Sequence, residues 1–433
     1  MFLVIFTALS AAASVYAAWR LLAKSRARIP TKLGLAGALF VVFELTPLTI
    51  ALRIAGIERF WVDLLAWVGY VGAGFLSFVL TFLIIRDIGW SAPAAARGLW
   101  RKTRSKRAVT PTEEASVDQD RRRFLAQGVN VGLTAAAATL TGFAIAEARE
   151  IPQVKEVDVP LPGLPKALDG FRIAQITDIH VSPTIKRPFV AGVVNRVNGL
   201  DADLAALTGD LVDGSVQRLS GDVEPLAELR ARYGKYFVTG NHEYYSGVAR
   251  WTEKVGSLGF EVLNNEHRLL SLAGGRMLVA GVTDYRAGAR MPGHRSDPQK
   301  AIVGAPAADV KILLAHQPKS AFAAAAAGFD LQISGHTHGG QFFPWNYVVA
   351  LVQPFVAGLH RHQDMLIYVS RGTGYWGPPL RLGSPSEITL LTLRSVQSGC
   401  QNNISIRTAS ALPQDPDRAS SRATASLKPL GDP

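Results

Sequence analysis

The sequence predicts an α/β domain, its helices packed outside a two-sheet core, carried behind an N-terminal region of membrane-spanning helices. Three observations support this reading. Long apolar runs fill the first 90 residues. From Val154 onward, short apolar runs alternate with helix-length segments. Five of those short runs end in Asp, Asn or His, the pattern of a site built at the carboxyl ends of a sheet.

The stretches Phe2 to Leu22, Leu33 to Ile54 and Val62 to Ile85 are each long enough to cross a bilayer, which takes about 20 apolar residues. A secretory signal peptide accounts for one such stretch but not for three. The connection after the first carries Arg20, Lys24, Arg26, Arg28 and Lys32, and that after the second only Arg53 and Arg59. After the third come Arg86, Arg97, Arg101, Lys102, Arg104, Lys106 and Arg107. The positive-inside rule puts the first and third connections in the cytoplasm. Glu44 lies mid-span beside Pro47. An ionisable group there is a functional candidate, and interhelical hydrogen bonding is the plainer reading.

Residues 91–123 read as a basic cytoplasmic linker, polar and interrupted by Pro93 and Pro111. Residues 124–148 have two readings. Arg121-Arg122-Arg123-Phe124-Leu125 resembles a twin-arginine export signal, with Ala146-Glu147-Ala148 as a small-x-small cleavage site. An internal position is unusual for such a signal, so an uncleaved fourth membrane helix is preferred. Either way residue 151 onward is expected on the extracytoplasmic side.

Residues 151–396 form the expected soluble domain. Strands are predicted at Phe171 to Thr177, Ala205 to Thr208, Tyr236 to Thr239, Met277 to Val282, Lys311 to Ala315, Leu331 to Ser334, Met365 to Ser370 and Ile388 to Leu393. Helices are predicted around Phe189 to Val197, Val223 to Ala231, Val248 to Ser257 and Ser320 to Ala327. Residues 397–433, rich in Ser, Ala, Asp and Pro, read as a disordered tail.

The net charge of +12 raises the question of nucleic acid. Residues 1–150 hold 18 Lys and Arg against 10 Asp and Glu, whereas residues 151–396 hold 24 against 21. The near-neutral soluble domain argues against a phosphate-backbone surface. Cys400 is the single cysteine, which excludes an intrachain disulfide and a cysteine-based zinc site.

The strand ends carry Asp178-Ile179-His180, Gly209-Asp210, Gly240-Asn241-His242-Glu243, His316 and Gly335-His336-Thr337-His338. Residues two apart on extended backbone point the same way, so each Asp-x-His or His-x-His pair can face one site. Of the 9 histidines, five stand at these ends; His267, His294, His360 and His362 lie elsewhere and read as surface or packing residues. Carboxylates mixed with imidazoles and one Asn suit Mn, Fe or Zn. Seven ligands are too many for one ion but suit two that share a carboxylate. Such pairs lower the pKa of a bridging water and bind phosphoryl oxygens.

These motifs resemble, in order and over about residues 170–340, the five motifs of the calcineurin-like metallophosphoesterases. The resemblance implies a four-layer α/β/β/α sandwich and two divalent metal ions. It implies one metal on Asp178, His180 and His338, a second on Asn241, His316 and His336, and Asp210 bridging. It implies for His242 a catalytic role, neutralising phosphoryl oxygens or protonating the leaving group. The implied activity is hydrolysis of phosphomonoesters or phosphodiesters by a metal-bridging hydroxide. Lipid-linked or envelope phosphates are one substrate class. A nucleotide or nucleic-acid phosphodiesterase is the alternative, and a membrane sensor or transporter module with a non-catalytic metal domain is the alternative of another class. The helical anchor, Gly339-Gly340-Gln341 and Ser370-Arg371-Gly372-Thr373-Gly374 resemble a bacterial, inner-membrane branch.

Three further features are weighed. Arg371 could give phosphate a bidentate contact, and Asp213 could orient a ligand from behind. The uncharged run Phe342 to Phe355 reads first as core, with a membrane-dipping rim beside the site as the sharper hypothesis.

Overall fold

A computed structural model of the chain describes residues 2–103, 115–272, 274–396 and 407–408. Residues 104–114 of the expected linker, and the expected tail apart from the two-residue strand Arg407–Thr408, lie outside the described residues.

Four helices open the chain: α1 (Phe2–Leu22), α2 (Ile29–Ile54), α3 (Phe60–Thr103) and α4 (Ala115–Arg149). All four contain segments long and apolar enough to cross a membrane. Pro30 sits in the first turn of α2, where its missing N–H costs nothing, and Gly56 at φ 78° lets the chain turn after it. α3 and α4 extend as helix into both flanks of the expected linker. At one end of the bundle Arg86 and Asp87 of α3 meet Arg20 of α1 and Asn130 of α4. The Oε1 atom of Glu44 is buried and meets no hydrogen-bond partner among the described residues.

The remainder holds two sheets. One runs β1 (Gln153–Pro162), β12 (Glu387–Val396), β2 (Arg172–Ile176), β3 (Leu204–Leu207), β4 (Lys235–Phe237), β5 (Glu261–Val262). The other runs β13 (Arg407–Thr408), β10 (Gly358–His362), β11 (Met365–Val369), β9 (Leu331–Ser334), β8 (Val310–Leu314), β7 (Gly275–Gly281), β6 (Glu266–Leu272). Strands β2 to β5 are mutually parallel, as are β7, β8, β9 and β11.

Side chains alternate across each strand, and both faces are covered, which is why the central strands read as unbroken apolar runs. Ile173, Leu204 and Tyr236 of the first sheet meet Val279, Ile312, Ile333 and Tyr368 of the second between the sheets. Ala174, Ala205 and Phe237 face outward under α5 (Arg187–Asn198), α6 (Val216–Val223) and, after α7 (Asn241–Ser246), α8 (Val248–Ser257). On the far side Leu313 and Ile367 face the helix Ala321–Ala326. The result is the four-layer α/β/β/α sandwich.

All eight predicted strands are present. The helix expected at Val223 to Ala231 is not: α6 ends at Val223, and a 3-10 turn, Glu224–Glu228, follows. Pro225 accounts for the end of α6, because it has no N–H to carry the helical hydrogen bonds on and its ring crowds the carbonyl four residues back.

Candidate metal centre

Each expected ligand sits two to four residues beyond a parallel strand, on the rim where the two sheets present their carboxyl ends. Asp178 and His180 follow β2, Asp210 follows β3, and Asn241 opens α7 after β4. His316 follows β8, and His336 and His338 follow β9. Asp178, His180, Asp210, His336 and His338 adopt φ between 51° and 74°, a left-handed conformation in which Asp, Asn and His are the least disfavoured of the side-chain-bearing residues.

Glycines let the loops close up. A Cβ on Gly335 would collide with a carboxylate oxygen of Asp178, and one on Gly240 with Asp210. The amide of His336 donates to Asp178 at 3.0 Å, and that of His242 to Asp210 at 2.8 Å. Glu243, fully buried, accepts from the amides of Asp210, Leu211 and Gly240 at 3.0, 2.8 and 2.7 Å, so one carboxylate fixes two ligand loops.

The donors converge in overlapping groups. Among the described residues, Asp178, His180 and His338 form one set, His180, Asp210 and His242 a second, and Asp210, His316 and His336 a third. The ligand atoms of each set lie within 4.8 Å of one another. His338 Nε2 lies 3.4 Å from Asp178 Oδ1, and His316 Nε2 lies 3.1 Å from Asp210 Oδ2. Asp210 belongs to two sets, as a bridging carboxylate must.

Burial penalises charge throughout, and the charges respond by separating. Burial acts to raise Asp210, but the imidazoles of His316 and His242 hold it well below the carboxylate range. Burial raises Asp178. His316 is pushed up to about 10 by Asp210, against burial that acts downward. His336 falls to about 3 through burial and then the neighbouring His316; His338 is held well down by burial, His180 and Arg381. Imidazoles kept neutral retain the lone pair a cation needs.

The residues fit a pair of divalent cations on three observations. Asn241 Oδ1 is buried and meets no hydrogen-bond donor among the described residues. The ring nitrogens of His180 and His338 face each other at 3.1 Å, and those of His336 and His316 at 3.2 Å. Facing nitrogen pairs satisfy each other poorly but share a cation well. The set of oxygen and imidazole donors without thiolate suits Mn, Fe or Zn.

Asp213, weighed as a supporting group, accepts from Nδ1 of both His180 (3.1 Å) and His242 (2.5 Å). Burial acts to raise it, yet these two rings hold it well below the ordinary range. The guanidinium of Arg371, weighed as a phosphate contact, pairs with Glu387 at 3.5 Å. Sequence reasoning missed Arg381. It is fully buried, donates to the carbonyls of His338 (3.0 Å), Arg371 (2.9 Å) and Ser384 (3.1 Å), and lies 3.2 Å from His338 Nδ1. The one available signal was an arginine inside the apolar run Pro378-Pro379-Leu380-Arg381-Leu382.

Residues 171–340 match the calcineurin-like phosphoesterase family. A Bacillus subtilis protein, the uncharacterized metallophosphoesterase YkuE, is 30% identical over 286 residues, which cover 64% of this chain and 98% of that one. The chain belongs to the calcineurin-like metallophosphoesterases. A Danio rerio transmembrane protein with metallophosphoesterase domain is 39% identical over 265 residues, 59% of this chain and 61% of that one. This metallophosphoesterase thus spans about three-fifths of that relative's length, and its likeness reaches animal as well as bacterial proteins. The solved Bacillus subtilis phosphoesterase YfkN aligns at a TM-score of 0.36 and 16% identity, covering 52% of this chain and 91% of that one.

Of the remaining histidines, His294 lies 3.0 Å from the Tyr244 hydroxyl and His267 lies 2.7 Å from the Ala301 carbonyl, both packing contacts. The run Phe342 to Phe355 divides. Phe342 and Phe355 are buried, whereas Trp345, Tyr347, Val348, Leu351 and Val352 are exposed, so the core reading holds only for its ends.

Proposed function

We propose that this metallophosphoesterase is a membrane-anchored hydrolase of phosphomonoesters or phosphodiesters that works with two divalent cations. The observation that carries the reading is the shared position of Asp210, between His316 and His336 on one side and His180 on the other. Asp178, His180 and His338 would hold one cation, Asn241, His316 and His336 the other, with Asp210 common to both. When bound, two such ions supply the charge that activates a water near neutral pH and screens the phosphoryl oxygens.

The chain's own groups do the rest. Asp213 accepts from Nδ1 of His242 and so fixes its ring, leaving Nε2 3.9 Å from Asp210 Oδ2, on the side of the cluster. From there His242 would hold a proton for the leaving oxygen. The paired loops held by Glu243 keep the donor side chains from shifting as negative charge moves across the phosphoryl group. Four apolar helices and the transmembrane relatives support anchoring, and the arginine distribution supports an extracytoplasmic catalytic domain.

Purified full-length protein tests this on a chromogenic phosphodiester and monoester with Mn, Fe or Zn restored. Asp210→Asn should lower turnover about a thousandfold or more, since the lost ligand is worth several kcal/mol of transition-state charge. His242→Ala should lower turnover about a hundredfold or more with metal content unchanged. Full activity in either variant, with the fold intact by circular dichroism, refutes the assignment.

A further inference from the structure

We propose that residues 342–352 form a wedge inserted in the bilayer, and that the phosphoester taken by the adjacent site is carried on a lipid whose hydrocarbon tail stays in the membrane. The substrate half of this rests on the hydrolytic reading above; the insertion half does not.

α3 carries its own depth markers. Where α4 ends, Arg149 lies over the ring of Trp67 at 5.2 Å. At the opposite end Arg86 and Asp87 join Arg20 and Asn130. Trp67 and Asp87 are about 20 residues apart, or roughly 30 Å of helix, which matches the hydrocarbon thickness of a bilayer.

The catalytic domain touches α3 between these markers. The Phe342 ring packs edge-on against Phe78 at 5.7 Å, and Trp345 Nε1 donates to Ser77 Oγ at 3.0 Å. Leu380 fills the space a Cβ on Gly74 would need, and the Arg381 amide donates to the Ala144 carbonyl of α4 at 3.0 Å. Ser77 stands about ten residues along from Trp67, roughly 15 Å into the apolar span. This contact therefore lies beside that span, while Arg218 meets Asp63 at 2.7 Å and Ser215 meets Glu58 beyond its Trp67 end.

The wedge has the composition for that place. Phe342 to Phe355 contains no charged residue. Its short helix Trp345–Val348 and the 3-10 turn Val349–Leu351 present exposed Trp345, Tyr347, Leu351 and Val352. Turn hydrogen bonds occupy the amides of Tyr347, Val352 and Gln353. An apolar surface continuous with a membrane helix, with its backbone paired, is stable in hydrocarbon and costly in water.

Gln341 ties the wedge to the site. It follows the His338 loop directly, and its Nε2 donates to the carbonyls of Trp376 and Pro378, both at 3.0 Å. Its Oε1 accepts from the Trp376 amide at 2.9 Å. The Trp376 ring stands 5.7 Å from His242 and is half exposed. Hydrogen bonds and one ring contact thus link the bilayer contact to the catalytic imidazole, so a headgroup can reach the donors while its tail remains beside the wedge.

The test uses the full chain in phosphatidylcholine vesicles with two matched substrate pairs. Ethyl and hexadecyl p-nitrophenyl phosphate share one leaving group; glycerol 3-phosphate and dioleoyl phosphatidic acid form the monoester pair. The long-chain member should be cleaved with kcat/KM at least about tenfold higher, and Tyr347→Ser with Leu351→Ser should erase that advantage while the short-chain rate holds. Equal rates on both members, or an advantage that survives the double variant, overturns the substrate half. Separately, Leu351→Cys in a Cys400→Ser background, labelled with NBD, should be quenched by brominated lipid; quenching by aqueous iodide instead overturns insertion. A chain that cleaves no member of either pair refutes the hydrolytic reading and the substrate half together, and the quenching result still decides the wedge.

Discussion

Around Asp178, His180 and His338, every donor is backed by another side chain. Thr177 Oγ1 stands 2.8 Å from Asp178 Oδ2, Asp213 holds His180, and the buried Arg381 lies against His338. Around Asn241, His316 and His336 the backing is backbone or absent. Among the described residues, His316 Nδ1 lies 2.8 Å from the Thr208 carbonyl, Asn241 Oδ1 has no donor, and His336 Nδ1 faces His316 itself. These side chains fix the orientation of the donors, although the Arg381 cation lowers the basicity of His338, so the first half of the cluster is preorganised and the second would be completed by a cation.

The proposed ligands make this asymmetry measurable, and the largest effect is on metal retention. His336→Ala should leave one tightly held equivalent after dialysis against a chelator, whereas His338→Ala should leave the weaker site alone and lose both. Activity should fall about a thousandfold in each, as loss of one ion from a two-metal pair removes several kcal/mol of charge stabilisation. Equal metal loss in the two variants, measured by plasma emission, would break the comparison.

Asp213 sharpens it, because one carboxylate serves both a proposed ligand and the proposed proton donor. Asp213→Asn should lower turnover about 10- to 100-fold, the usual cost of removing a ligand's hydrogen-bond partner. In a His242→Ala background the same change should still weaken metal retention, since the contact to His180 remains to be lost. Complete masking by His242→Ala in that double-mutant cycle would mean that Asp213 acts on the proton donor alone.

What could be read in the sequence follows from how locally it is encoded. An apolar run ending in Asp178-Ile179-His180 or His336-Thr337-His338 announces both a buried strand and its terminal donors, because strand burial and loop polarity sit side by side in the chain. The sheets' pairing order is less local. β1 reads poorly, with charged residues at Lys155, Glu156 and Asp158, and owes its place to the parallel partner β12, more than two hundred residues away. The left-handed backbone at Asp178, His180, Asp210, His336 and His338 leaves no mark in an isolated sequence beyond residue types that tolerate it. Arg381 was invisible for a similar reason. A buried guanidinium is stable only where several carbonyls converge, and those of His338, Arg371 and Ser384 come together only in the folded chain. The exposed face of residues 345–352 misled the core reading, because apolar composition does not say whether the apolar partner is protein or lipid.

The smallest expected effect tests the weakest buttress. Thr177 is fully buried, with its hydroxyl between Asp178 Oδ2 at 2.8 Å and the Thr208 carbonyl at 3.0 Å. Its one proton can serve only one of these acceptors at a time, and Thr208 lies beside the backing of His316 as well. Thr177→Val keeps the shape and removes the donor, which costs roughly 1–3 kcal/mol when a buried acceptor is left unmade. If the hydroxyl serves Asp178, the apparent affinity of the first half for Mn or Zn should fall by roughly fivefold or more while the second half is unmoved. If it serves Thr208, the order reverses and the second half weakens. Stepwise metal titration of the apo protein, followed by calorimetry, distinguishes the two, and no change in either half would mean that the backbone alone holds Asp178.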